Sequence, residues 1–324
     1  MPLLQINAGS DGLTLHRAPH SILPVLRRAL RVPGPIVIMV HGYKFAPGHA
    51  RACPHNHILS LDPGRTGWKV KSWPRALGFG LGAEDEGLAI AFGWPARGTI
   101  WQAYAQAERA ATCLAELMEI LCQLAPRRRV HIVAHSLGAR VALQALPRMS
   151  CGHPGRVILL NGAEFGEHAR VALDSPTGKG AEFINVTSRE NDLFDFLLER
   201  LVRAPRSGDR CVSHALPARH NSLTLQLDHP CTRDALDRAG FPLASATFRV
   251  CHWSAYLRPG VFKLYRALLR SPATLALDDL RHMLPDAPEP RWSGMFRLSG
   301  PVRPRHAHAG DLHTPPPGRA HRAA

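Results

Sequence analysis

Val130-His131-Ile132-Val133-Ala134-His135-Ser136-Leu137-Gly138-Ala139-Arg140 decides how this chain is read. Residues 130–133 form a short apolar run, and residues 139–146 read as a helix. Between them sits a serine flanked at two places either side by small residues, Ala134 and Gly138. A serine between a strand and a helix, with small residues at those spacings, is the pattern of a nucleophile elbow. The turn is so tight that larger side chains would crowd the backbone, and it pushes the hydroxyl out above the sheet. Ala134 stands where the G-x-S-x-G pattern has Gly, and its methyl leaves less room. A five-residue match is weak alone. It requires a base, an acid and oxyanion donors nearby.

Working outward, residues 36–40 (IVIMV) are continuously apolar, as in a central strand covered on both faces. Residues 88–92, 157–160, 183–187 and 248–251 read as further strands, and residues 3–15 as a hairpin. Helices are expected over 20–30, 193–202 and 260–270, and a longer one over 100–124. In that one Ala103, Ala107, Ala110, Leu114, Leu117, Leu121 and Leu124 form one stripe. Strands alternating with helices imply a mostly parallel sheet flanked by helices, an α/β fold in one domain over 1–284. Residues 46–83, rich in Gly, Pro, His and Trp, read as a long loop or excursion. Residues 285–324, rich in Pro, Arg and His, read as a flexible tail.

Sites in open parallel sheets lie at the carboxyl ends of strands. His41-Gly42-Tyr43 follows one predicted strand, and Ser136 another. Asp192 lies a few residues beyond a third, and His252 follows a fourth. The order Ser, Asp, His is that of one group of serine enzymes. Asp195 and Glu190 are rivals to Asp192, and His229, His220 and His214 are rivals to His252. His135 reads as packing under the turn, and His41 as holding the loop at Tyr43 by hydrogen bonds. Phe194, Phe196 and Leu197 would either line an acyl pocket or pack on the sheet.

Over about residues 3–271 the chain resembles the α/β-hydrolase superfamily. Ile90-Ala91-Phe92-Gly93-Trp94-Pro95-Ala96-Arg97-Gly98 looks like the "WPSRG" segment of a bacterial branch in which a long helix and an A-H-S-[LM]-G elbow follow. The resemblance implies the α/β-hydrolase fold, with Ser136 as nucleophile, Asp192 as acid and His252 as base. It also implies that the backbone N–H groups of Tyr43 and Leu137 form an oxyanion hole. The implied activity is ester or thioester hydrolysis through an acyl-enzyme, lipase-like or carboxylesterase-like. Activity would rise with pH as His252 loses its proton, near the ordinary ~6.5 or somewhat above it.

The net charge of +15 suits an anionic partner, either a peripheral lipid surface or a substrate. Only five of the 40 basic residues are Lys, however, and Arg is spread along the whole chain. With no nucleic-acid signature, nucleic acid is not the expected partner. No long apolar span or signal peptide is read, and the default location is cytoplasmic. The seven Cys form no C-x-x-C pair, which argues against a disulfide framework. No cofactor is expected. Cys53, His55 and His57 have the types of zinc ligands but lack a second half, so no metal is expected either. The expected partner is a small-molecule or lipid ester. Two alternatives use the same residues: a catalytically weak hydrolase-fold binding module, and an acyltransferase.

Overall fold

A computed structural model describes residues 2–296, apart from positions 19, 65, 66, 68 and 153. Its strands are β1 (Leu3–Gly9), β2 (Gly12–Leu15), β3 (Ile36–Val40), β4 (Leu88–Gly93), β5 (Val130–His135), β6 (Pro154–Leu160), β7 (Glu182–Thr187) and β8 (Ser222–Gln226). They form one sheet of order β2-β1-β4-β3-β5-β6-β7-β8. Every pairing is parallel except that of β1 with β2, a hairpin at the edge.

The apolar strands follow from cover on both faces. In β3, Ile36, Ile38 and Val40 face one core while Val37 and Met39 face the other. The first core is closed by α1 (Ile22–Ala29), α2 (Ile100–Leu124), α3 (Leu137–Ala145) and, through Ala169, Ala172 and Leu173, the helix that follows β6. Thr99 starts α2 with a capping box to Gln102, and the predicted alanine and leucine stripe is its buried face. The second core receives α6 (Val261–Arg270), numbered after α4 (Gly166–Asp174) and α5 (Asp192–Leu201).

The long loop expected over 46–83 sends several side chains into that second core. Ile58, Leu59, Trp73, Leu77 and Phe79 are all buried there. Residues 248–251 are not a strand, because β8 occupies the sheet position beside β7. The segment instead meets the body through the Cys251 N–H, which donates to Glu190 O at 2.8 Å. Residues 285–296, expected in the flexible tail, pack on the body. Gln226 Nε2 donates to Glu289 Oε2 at 3.1 Å, and Arg291 pairs with Glu199 at 2.7 Å. The remainder of that tail lies outside the described residues. Among the described residues no helix is long and apolar enough to cross a membrane.

Candidate active site

The parallel register brings the carboxyl ends of β3, β5, β6 and β7 to one edge. Val40 pairs with Ala134, His135 with Leu160, and Leu160 with Val186. Ser136 follows β5 with φ 54° and ψ −125°, a backbone conformation that a non-glycine residue adopts only when its surroundings impose it. Its N–H donates to Leu160 O at 3.1 Å, and its carbonyl accepts from Ala139 and Ala163. A Cβ at Gly138 would sit 2.6 Å from Val40 O, so that position must be glycine. Gly42 is equally constrained, with its would-be Cβ 2.7 Å from Ser136 Cβ. The Ala134 methyl is accommodated within β5, fully buried in the first core.

The loop after β3 is held by His41. Its Nε2 accepts from the Trp94 N–H at 3.1 Å, and its Nδ1 lies 2.9 Å from Gly42 O. The Trp94 indole stacks on the ring and donates to His41 O at 2.9 Å. Burial depresses the His41 pKa to about 4, so the ring is neutral with its proton on Nδ1. This places the loop of Gly42 and Tyr43 against Ser136, and both residues line the same cavity as the serine. Leu137, the first residue of α3, has an N–H with no acceptor inside its own helix.

His252 lies on a turn rather than at a strand end, and its backbone is pinned from two strands. Its carbonyl accepts from Asn161 Nδ2 at 2.9 Å and from His135 Nε2 at 3.1 Å. Its Nδ1 stands 2.6 Å from Oδ1 of Asn191, not from a carboxylate. The Asn191 amide has one sensible orientation, because its Nδ2 donates to Asp195 Oδ1 at 2.8 Å. Oδ1 must then be the acceptor, Nδ1 of His252 carries the proton, and the Nε2 lone pair is open. Burial, with His135 as a smaller contribution, pushes the His252 pKa well below the usual histidine range. Phe194 stacks on the imidazole at 4.7 Å.

The structure therefore does not bring Asp192 to His252. Asp192 Oδ2 accepts from the Trp292 N–H at 2.6 Å, and its Oδ1 lies 3.4 Å from Arg189 Nη1 and 3.2 Å from His214 Nε2. Asn191 and Asp192 are neighbours where a 3₁₀ turn runs into α5, and a step of one residue there turns a side chain to another face. The rivals are also engaged elsewhere. Glu190 pairs with Arg258. His229 Nδ1 accepts from the Cys231 N–H at 3.1 Å, capping a short helix. His220 is exposed, and its carbonyl accepts from Arg281 at 2.7 Å. His214 lies between Asp192 and Asp195; burial alone would lower its pKa, but the two carboxylates prevail and raise it.

Asp195, a rival in the sequence, thus stands one step behind, holding the asparagine rather than the histidine. Its Oδ1 also accepts from Ser213 Oγ at 3.2 Å and Cys211 Sγ at 3.3 Å. Burial and Asp195 push the Cys211 thiol up, which keeps it protonated as a donor.

Among the described residues, Asp192, Asp195 and His214 are the group whose donor atoms lie close enough to share a cation. Arg291 Nε, 3.2 Å from His214 Nε2, and Arg189 already place positive charge on those atoms. The cluster is an ion-pair network in which Asp192 Oδ1 and Asp195 Oδ2 have charged neighbours but no well-aligned hydrogen bond. Cys53 and His55 are used locally: Cys53 Sγ lies 3.8 Å from His16 Nε2, and His55 Nε2 2.7 Å from Asn7 Oδ1. All seven cysteines are free.

Ser136 and His252 line one cavity of about 330 Å³ with Phe194, Leu197, Leu201 and Trp253 among its walls. A strained serine, a neutral imidazole of fixed tautomer and an apolar chamber can together support attack on a carbonyl carbon. The sequence passed over Asn191 and Asn161. Both stood in segments recognised as strand ends, but amides do not carry the chemical signal that a carboxylate does.

The sheet order and the serine elbow are those of the α/β-hydrolase fold. Residues 25–159 match the family described as "alpha/beta hydrolase of unknown function (DUF900)". That span holds β3 to β5, the elbow and most of β6, and ends before Asn191 and His252. Among solved structures, phospholipase PlaB from Legionella pneumophila in complex with thio-NAD is similar at 15% identity and a TM-score of 0.31, over 55% of this chain and 43% of that one. The chain thus spans under half of that phospholipase's length, and the likeness carries no residue roles. No curated protein sequence matches the chain.

Proposed function

We propose that the protein hydrolyses carboxylic esters or thioesters through an acyl-enzyme on Ser136. The observation that carries this reading is the hydrogen-bonded chain from His252 through Asn191 to Asp195, set beside the strained serine in an apolar cavity. Ser136 Oγ attacks the carbonyl carbon and gives its proton to His252 Nε2. The tetrahedral oxyanion is held by the backbone N–H groups of Tyr43 and Leu137. The imidazolium then protonates the leaving group, and water repeats the sequence to release the acid. Removing one such backbone donor typically costs roughly 3–4 kcal/mol of transition-state stabilisation.

Asn191 takes the place expected for Asp192. An asparagine can fail as the third member of a triad when its NH2 turns to the histidine and selects the wrong tautomer. Asp195 prevents that by engaging the NH2. An amide lacks the charge that stabilises an imidazolium, which agrees with the low pKa of His252. The base is then ready at lower pH than the sequence alone suggested.

The Phe194, Leu197, Leu198 and Leu201 walls favour an apolar acyl group. p-Nitrophenyl esters of graded chain length test this. Hydrolysis that rises from acetate to medium chains and vanishes in Ser136→Ala is expected. A flat zero response from folded protein would overturn the reading.

A further inference from the structure

Helix α5 is partly inverted, burying two aspartates beside Leu198 while three of its leucines face outward. A helix at a protein surface normally buries its apolar side chains and exposes its charges. Here Asp192 and Asp195 are buried, while Leu193, Leu197 and Leu201 are 38%, 41% and 44% exposed. Spaced at four residues, these leucines form one stripe along the helix. The Trp101 indole, 57% exposed, extends the stripe and donates to Leu201 O at 2.5 Å. The stripe runs into the cavity of Ser136, because Leu197 and Leu201 also line it.

The charges around this face are mainly positive. Arg97 and Arg109 border a shallow depression with Trp101. Lys44, Arg200 and Arg203 are exposed on the neighbouring segments. The acidic groups of α5 are turned inward or neutralised, with Glu199 held by Arg291 and Arg210. Glu108 of α2 is paired with Arg148.

We infer that this face docks on an anionic lipid surface. Leucines and a tryptophan suit the boundary between headgroups and acyl chains, and the surrounding cations suit acidic headgroups. A lipid ester lying in that surface would enter the cavity between Leu197 and Leu201 without crossing water. This delivery role rests on the ester-hydrolase reading, whereas docking itself does not.

The test is cosedimentation of the full chain with vesicles of phosphatidylcholine alone and of phosphatidylcholine with about one third phosphatidylglycerol. Leu193→Glu/Trp101→Glu is the discriminating variant, since neither side chain lines the cavity. Wild type is expected to bind the anionic vesicles at least about tenfold better than the neutral ones, and to release them at high salt. The double variant is expected to lose at least about tenfold of that binding while hydrolysing dissolved p-nitrophenyl acetate unchanged. Ser136→Ala is expected to bind vesicles as wild type does, so the surface and the chemistry can fail separately. Docking is overturned by wild type that stays in the supernatant with both vesicles, or by a double variant that binds as well as wild type. A lipid-free dimer that the double variant dissociates would also overturn it, in favour of self-association.

Discussion

Helices α3 and α5 each begin beside a residue of the site, yet they treat their side chains in opposite ways. In α3, which follows Ser136, the apolar residues from Leu137 to Ala145 are all buried, and even Arg140 is enclosed. In α5, which follows Asn191, the carboxylates are enclosed and three leucines face outward. The first helix is a fixed support that holds the elbow against β3 and β6. The second turns its polar side toward the machinery that orients His252 and its apolar side toward the cavity and the surface. The difference separates a half of the site made rigid by packing from a half made by buried polar bonds and open to substrate.

Substitutions at the reacting atoms should have the largest effect. Ser136→Ala and His252→Ala are each expected to lower kcat/KM by roughly 10³-fold or more, with unchanged circular dichroism. Next comes the contrast between neighbours. Asn191→Ala should cost roughly 10²–10⁴-fold in kcat, as loss of an orienting group does. Asp192→Asn should cost less than about tenfold in kcat but destabilise the fold by roughly 1–3 kcal/mol, read from a urea midpoint, because it weakens a buried pair. Equal activity losses at both positions would erase the distinction between them.

On the rigid side, Gly138→Ala should destabilise by roughly 1–3 kcal/mol, because its methyl meets the carbonyls of Val40 and His41. Thermal denaturation checks this.

Two pH effects are subtler. As the proposed base His252 must be neutral, and its pKa lies below the usual histidine range, so activity should hold at pH values below ~6.5. Asn191→Asp places a carboxylate against Nδ1 and should move the acidic limb of the kcat/KM profile upward. An unmoved limb would disconnect Asn191 from the base.

Stability should behave differently from activity. Burial lowers His41, His131 and His135 to about 4 in the folded state. Below ~6.5 the unfolded chain therefore binds more protons, and stability falls as pH drops from ~6.5 toward 4. The loss is up to about 1.4 kcal/mol per pH unit for each histidine. Melting temperatures between pH 7.5 and 4.5 measure that slope.

What was legible in the sequence follows the same division. Strand β3, helix α2 and the elbow obey simple periodicities, because packing alone dictates them. Strand β8 escaped notice because Ser222, Thr224 and Gln226 break the apolar pattern. Their polar groups are met by partners remote in the chain, such as Asn185 on Thr224 and Glu289 on Gln226. Residues 248–251 have strand-forming types, but β8 takes the place beside β7. Asp192 drew attention because it is a carboxylate. Its neighbour Asn191 gains its role only through Asp195 four residues on, a relation visible once the chain is folded. Residues 193–202 read correctly as an apolar helix, but which side would face water depended on where the two aspartates had to go.

In the proposed mechanism Ser136 is an activated nucleophile served by His252. Treating folded wild type, Ser136→Ala and His252→Ala with a fluorophosphonate probe, then mapping the adduct by peptide mass spectrometry, tests it most directly. One adduct on Ser136 in wild type and none in either variant is expected. An unlabelled wild type, or labelling that persists in Ser136→Ala, would contradict the account.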